Sequence, residues 1–312
     1  MSFFVDLANS LPSALAQGLI WGIMAVGVFI TYRILGVADL TVDGTLALGG
    51  AVCVTLIRAG CNAYLAVAVA IVAGLLAGLI TGFLHTTCGI PVILAGILTQ
   101  LALYSVNLRV MDRAANLSVS VDKYQLVLSA RYIKMLSVQN PIPVVLLFLA
   151  VLIALLYWFF GTETGSALRA TGCNINMAKS QGINTNRNIV LGLMLSNGLV
   201  ALSGALLSQF QGFADVNMGR GAIVIGLAAV IIGEVIFSKI FRNFALRLLA
   251  VVLGAVIYYL VIQVVLQLGL DTNDLKLLTA LVVALFLTVP HLKEKITAKS
   301  RIKKEATQNA GN

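Results

Sequence analysis

Ala63-Tyr-Leu-Ala-Val-Ala-Val-Ala-Ile-Val-Ala-Gly-Leu-Leu-Ala-Gly-Leu-Ile-Thr-Gly-Phe-Leu84 contains no charged side chain. An α-helix rises 1.5 Å per residue, so about 20 such residues cross the hydrocarbon core of a bilayer. Gly74 and Gly78 form a GxxxG pair within it, and Gly18 and Gly22 form another. Small residues at this spacing let helix backbones approach closely in lipid, where burying Leu against Leu has no advantage over burying it in acyl chains. The stretch reads as a transmembrane helix packed into a bundle.

Eight more apolar runs flank it: Leu11–Thr31, Thr41–Ile57, Ile90–Leu108, Ile142–Phe160, Asn188–Phe210, Ala222–Phe237, Phe244–Leu268 and Leu275–Val289. The fold class expected is an all-α integral membrane protein, a polytopic bundle of eight to ten transmembrane helices. Thr41–Ile57 and Ala222–Phe237 are short enough to be re-entrant. Residues 1–292 form one membrane domain, with little outside it. Composition agrees: 60% of the 312 residues are hydrophobic and 11% charged, whereas soluble domains carry about a quarter charged residues. No signal peptide is read, because residues 1–10 lack a positive charge and the first apolar run is too long for a signal-peptide core.

The net charge is +9, and residues 293–312 form a basic tail, dense in Lys and Arg over Lys293–Lys304. Basic segments stay on the cytoplasmic side, so the tail reads as cytoplasmic. Nothing else in the chain supports a nucleic-acid partner. Cys53, Cys61, Cys88 and Cys173 share no CxxC-like spacing, so neither a metal site nor a disulfide framework is implied.

Three stretches interrupt the apolar pattern: Arg33–Asp43, Arg109–Pro141 and Gly161–Arg187. Counting back from the tail places 161–187 in the cytoplasm and 109–141 outside. Arg169, Lys179 and Arg187, and then Lys239, Arg242 and Arg247, agree with that orientation. Arg109, Arg113, Lys123, Arg131 and Lys134 in the outer loop oppose it. Gly36-Val-Ala-Asp39 and Gly212-Phe-Ala-Asp215 each precede a Gly-rich apolar run, with five spans between them. An odd number of spans inverts the second copy, an architecture common among transporters, with the substrate path at the repeat interface.

Ionisable groups within spans cost about 2.5–3.5 kcal/mol on insertion scales and require a reason. Glu234 follows Ala-Ala-Val-Ile-Ile-Gly with no cation before Lys239. It either lines a polar path or sits at the membrane surface near a helix end. Asp39 and Asp43 serve capping, with Asp43 as N-cap of a helix from Gly44 and Arg33 offsetting one charge, or they contact a cationic substrate group. Gln100, Tyr104 and Asn107 recur on one helical face, and Asn197 and Gln209 interrupt a later span. Either a translocation path or interhelical hydrogen bonding accounts for them. With Asp215, these residues are the substrate-path candidates.

Within 161–187, Asn174 suits an N-cap, Ile175–Gln181 gives two turns, Lys179 complements the last turn, and Gly182 suits a left-handed C-cap. Gly165-Ser-Ala-Leu-Arg-Ala-Thr-Gly172, Asn174, Met177-Ala178 and Gly182-Ile-Asn184 resemble the coupling-helix region of bacterial ABC-importer permeases. The resemblance is to the family of branched-chain amino-acid and ribose permeases. Ala201-Leu-Ser-Gly-Ala-Leu-Leu-Ser-Gln209-Phe and Gly219-Arg-Gly221 extend it. Gly36–Gly44, Ile90–Leu98 and Leu103–Arg109 resemble a subgroup paired with lipoprotein or periplasmic binding proteins, some of whose members import aromatic amino acids such as tryptophan.

The resemblance implies a type II-like ABC importer permease in the bacterial cytoplasmic membrane. Two copies would form the pathway, and two ATP-binding subunits would dock on the cytoplasmic helices. Arg169, Thr171, Asn174, Met177, Ala178 and Gly182 would carry the ATPase coupling. An extracytoplasmic binding protein would deliver the substrate, an amino acid or else a sugar or nucleoside. The chain has no GxxxxGK[ST] loop, so ATP and Mg²⁺ are expected on the partner ATPase and no cofactor or metal on this chain. It is expected not to be an enzyme: His85 and His291 form no HExxH pairing. An H⁺- or Na⁺-coupled secondary transporter is the more distant alternative, with Asp39, Asp215 and Glu234 as coupling acids.

Overall fold

A computed structural model describes residues 2–133, 140–237, 240, 241 and 243–267, with isolated positions 277, 280, 281, 283, 284 and 288 beyond. The tail 293–312, most of Leu275–Val289, and Lys134, Lys239, Arg242 and His291 lie outside the described residues.

The chain is helical almost throughout. The helices are α1 (Ser2–Phe29, continued by a π-helical turn, Ile30–Ile34), α2 (Val42–Arg58), α3 (Ala63–Thr86), α4 (Val92–Val110) and α5 (Pro141–Gly161), followed by α6 (Glu163–Cys173), α7 (Ile175–Ser180), α8 (Thr185–Gln211), α9 (Ala222–Phe237) and α10 (Phe244–Gln267). Six of them, α1, α3, α4, α5, α8 and α10, are long and apolar enough to cross a membrane. α9 has 16 residues and α2 has 17, which at 1.5 Å per residue is about 24–26 Å, short of a hydrocarbon core of about 30 Å. Polypeptide entering a bilayer must satisfy its backbone groups internally, and helices do so without partners.

The bundle is layered by burial. α1 and α8 form its centre, while α3, α4 and α5 bury only one face and leave Leu65, Val72, Leu76, Leu101, Leu147 and Leu155 exposed. In water such faces would be untenable; against lipid they cost nothing. The small residues lie where helices touch. A Cβ on Gly74 or Gly78 would overlap the α8 backbone at Asn197 or Leu193, and one on Gly18 would fall 2.8 Å from Val256 Cα of α10.

These contacts obey a symmetry. α3 packs on α8 as α10 packs on α1, and α2 meets α8 as α9 meets α1. Both repeat motifs begin with a left-handed glycine, Gly36 (φ +68) and Gly212 (φ +80). In both, the aspartate then accepts the backbone N–H two residues on: Thr41 N to Asp39 at 2.9 Å and Asn217 N to Asp215 at 2.7 Å. At the same offset, residue 20 corresponds to 196 and 27 to 203. Ser203 Oγ donates to Ile20 O, and Ser196 Oγ donates to Gly27 O, each at 2.8 Å. Counterpart helices α1 and α8 therefore run antiparallel across a pseudo-two-fold axis, the inverted arrangement expected from the motifs.

At one end of the bundle, α6 and α7 form a small cap. α6 is absent from the sequence reading, which takes 161–187 as a loop with one short helix. Thr162 caps α6 by accepting from Gly165 N at 3.3 Å, and Leu168 and Thr171 bury its inner face. At the other end, 109–133 is packed rather than loose. Its Asn116–Ser118 (β1) pairs antiparallel with Phe213–Asp215 (β2), and Val119, Leu126, Val127 and Leu128 are buried. The two-stranded ribbon was not expected in an all-α chain.

Candidate functional site

α2 and α9 start near the middle of the bundle. Asn197 lies halfway along α8, and its Nδ2 donates to Asp39 Oδ2 at 2.7 Å. Its Oδ1 accepts from Thr45 Oγ1 at 2.7 Å. Thr41 Oγ1 then meets Thr81 Oγ1 at 2.8 Å, and Thr81 donates to Thr99 at 3.0 Å. Asp39, Thr41, Thr45, Thr81, Thr99 and Asn197 are all buried. Buried polar groups persist where each finds a partner, and this chain of contacts ties α2, α3, α4 and α8 together.

Asp43 caps a helix, but not its own. Its oxygens accept from Gly221 N at 2.9 Å and Ile223 N at 3.0 Å, at the start of α9. The carboxylate satisfies two of the N–H groups that a helix start leaves unpaired and favours its dipole. α2 has no side-chain cap of its own: its N-cap residue is Thr41, and Asp39 accepts from Thr41 N in the turn ahead of the helix. A Cβ on Gly219, the counterpart of residue 43, would overlap Asp43 O, so the starts of the two short helices meet at the axis.

Beside this junction lies a cavity of about 400 Å³ lined by Asp43, Gln100, Tyr104, Asn107, Val216 and Arg220 among others. The polar stripe of α4 faces it, as the spacing of Gln100, Tyr104 and Asn107 predicts. Asn107 is fully buried and its Nδ2 donates to Gly44 O at 3.3 Å. Its Oδ1 finds no partner among the described residues. Arg220 is exposed, and its guanidinium joins neither of the ion pairs among the described residues. Sequence reasoning took Gly219-Arg-Gly221 as a family motif and missed Arg220 as a site residue; a cation in a short apolar-flanked loop was the available signal.

The remaining path candidates lie elsewhere. Gln209 is buried near the ribbon end, accepting from Val127 N at 2.8 Å and donating to Cys53 Sγ at 3.2 Å. Asp215 belongs to β2 and its turn, with Asn116 Nδ2 at 3.5 Å. Glu234 pairs with Arg33 at 2.8 Å, near the α6–α7 end. Arg33 is thus committed to Glu234 and not to Asp39 or Asp43. Both partners keep substantial exposure, so the pair is a superficial contact between the π-turn and α9.

Around α7 the expected caps are present. Asn174 accepts from Met177 N at 3.0 Å, and Gly182 is left-handed (φ +76). Thr171 is buried, accepting from Asn188 Nδ2 at 2.9 Å, and Arg169 donates to Phe160 O at 2.8 Å. Ala178 is buried against its own chain, whereas Ile175 and Met177 are 43% and 63% exposed. The outward apolar surface is therefore Ile175 and Met177, with Ala178 seating the helix.

Residues 10–289 match the family model described as branched-chain amino acid transport system / permease component. The chain is 38% identical over 284 residues to a tyrosine transport system permease protein of Clostridioides difficile, covering 91% of this chain and 92% of the relative. It is 37% identical over 289 residues to an uncharacterized protein of Rickettsia prowazekii, covering 92% and 99%. A ribose import permease protein of Escherichia coli is 26% identical over 225 residues, covering 72% and 69%. No solved structure matches the chain.

Proposed function

The chain belongs to the family of branched-chain amino acid transport system permease components, and from that premise we propose that it is one half of the pathway of an ATP-driven amino-acid importer. Two copies form the pathway, two ATP-binding subunits energise it, and an extracytoplasmic binding protein loads it. It sits in the bacterial cytoplasmic membrane with the α6–α7 end inside. Arg169, Lys179, Arg187 and Arg247 at that end accord with the retention of basic residues in the cytoplasm.

The observation that carries this reading is α7. A six-residue helix too short to be stable alone is capped at both ends, seated by Ala178, and presents Ile175 and Met177 outward. Exposed apolar side chains on a capped helix beyond the membrane domain fit a groove on a partner. ATP hydrolysis lies with that partner. An amino-acid substrate, with aromatic side chains favoured, is supported by the 38% identity to a tyrosine transport permease, against 26% to a ribose permease. The acids a gradient-driven transporter would need are engaged: Asp39 by Asn197 and Thr41, Asp215 in its turn, and Glu234 by Arg33.

Met177→Asp tests the docking. The variant should elute from size exclusion as wild type does, yet recover about tenfold less of the ATP-binding subunit encoded beside it, as expected for loss of an interface anchor. Undiminished co-purification would remove α7 as the docking helix.

A further inference from the structure

The cavity at the α2–α9 junction has the donors and acceptors of a zwitterion site. Arg220, an exposed cation, and Asn107, whose buried Oδ1 has no partner among the described residues, both line this space. Asp43 adds a carboxyl group whose oxygens keep lone pairs beyond those used by Gly221 N and Ile223 N. An orphaned buried acceptor requires an explanation, and a ligand ammonium supplies one. The volume, about 400 Å³, lies within the range of about 300–1,000 Å³ of small-molecule sites. Its place, where the two short helices α2 and α9 begin near the middle of the bundle, is where inverted-repeat transporters hold substrate. A larger cavity of about 580 Å³, between the α2–α3 turn and Lys123–Val127, borders no such buried, unpartnered group among the described residues and lies near the ribbon end.

We propose that this cavity is a transit site for an α-amino acid, with Arg220 holding the carboxylate, Asn107 Oδ1 and Asp43 receiving the ammonium, and Gln100 and Tyr104 facing the side chain. Arginine matches a carboxylate with two parallel N–H donors, which lysine cannot reproduce. The inference rests on the amino-acid reading above and adds the group that recognises the carboxylate.

The test separates the two. Uptake of L-tyrosine, L-tryptophan and L-leucine by proteoliposomes carrying the full assembly with its binding protein tests the reading; transport of none of the three would end it. Binding to the purified permease–ATPase complex, by titration with the transported amino acid and its decarboxylated amine (tyramine, tryptamine or isopentylamine), tests the inference. Wild type should prefer the amino acid over the amine by about tenfold or more, and Arg220→Gln should abolish that preference while binding the amine as wild type does. Arg220→Lys should recover part of it. Asn107→Leu should weaken both ligands by about tenfold, because it removes the ammonium acceptor. Uptake that persists with the amino-acid preference unchanged in Arg220→Gln would overturn the site and leave the transport reading standing.

Discussion

At the scale of single residues, the aspartates show how far sequence spacing reaches. Asp39 and Asp43 read from their surroundings as capping residues or as contacts for a cationic substrate group; Asp43 caps α9, while Asp39 closes a turn on Thr41 N ahead of α2. The partner of Asp43 lies at Gly221 and Ile223, however, 178 and 180 positions away in the chain, a distance no local pattern encodes. Arg33 is likewise drawn to Glu234 across the bundle and not to the nearby acids. Asn197 looked like either a path residue or an interhelical bond, and its geometry is that of a junction: both ends of its amide are engaged, by Asp39 and Thr45. Asn197→Leu would remove the amide that donates to buried Asp39 at 2.7 Å, a loss of about 2 kcal/mol. Thermal denaturation of the detergent-solubilised protein, followed by fluorescence-detected size exclusion, should show a clearly lowered midpoint. An unchanged midpoint would mean that water replaces Asn197 and that the centre of the bundle is wet.

Among the elements, helices were legible in proportion to how much of their stabilisation is local or comes from lipid. α9 was expected at Ala222–Phe237 and occupies those residues; α3 begins at Ala63 as expected and runs two residues further. α7 was readable from Asn174 and Gly182, since caps are local chemistry. α6 was not. It is mildly polar and rich in small residues, and its burial depends on Gly165 and Gly172 lying against Phe159–Phe160 and Ile34–Leu35, contacts that exist only once the bundle does. The three-residue strands β1 and β2 were invisible for the same reason, being made by a pairing of Asn116 with Asp215. The GxxxG pair that opened the reading has a direct consequence at this scale. Gly78→Val should drive α3 away from Leu193 and Met194 of α8, at a cost of about 1–3 kcal/mol for overpacking. Gly161→Ala is the control, because nothing lies within 4 Å of a Cβ there and its backbone is not left-handed. The yield of monodisperse protein should fall for Gly78→Val well beyond Gly161→Ala; equal yields would show that α3 and α8 separate without penalty.

Over the whole molecule, the inverted repeat organises the function. It brings the starts of the short helices α2 and α9 to one point, with Asp43 of the first copy capping α9 of the second, and it places the cavity at that point. The same symmetry leaves two unlike ends. The α6–α7 end presents a small apolar helix, and the β1–β2 end is sealed by buried Val119, Leu126, Val127 and Leu128. A carrier driven by an ion gradient needs neither α7 nor a partner. An ATP-driven importer needs a surface through which a nucleotide-dependent movement reaches the bundle, and α7 continues directly into the central helix α8. The decisive measurement is uptake of labelled amino acid into proteoliposomes containing this chain, its neighbouring ATP-binding subunit and its binding protein. The account predicts accumulation only with ATP, unaffected when H⁺ and Na⁺ gradients are collapsed by ionophores, and lost when the ATP-binding subunit is omitted. Accumulation by the chain alone, driven by an imposed ion gradient, would contradict it.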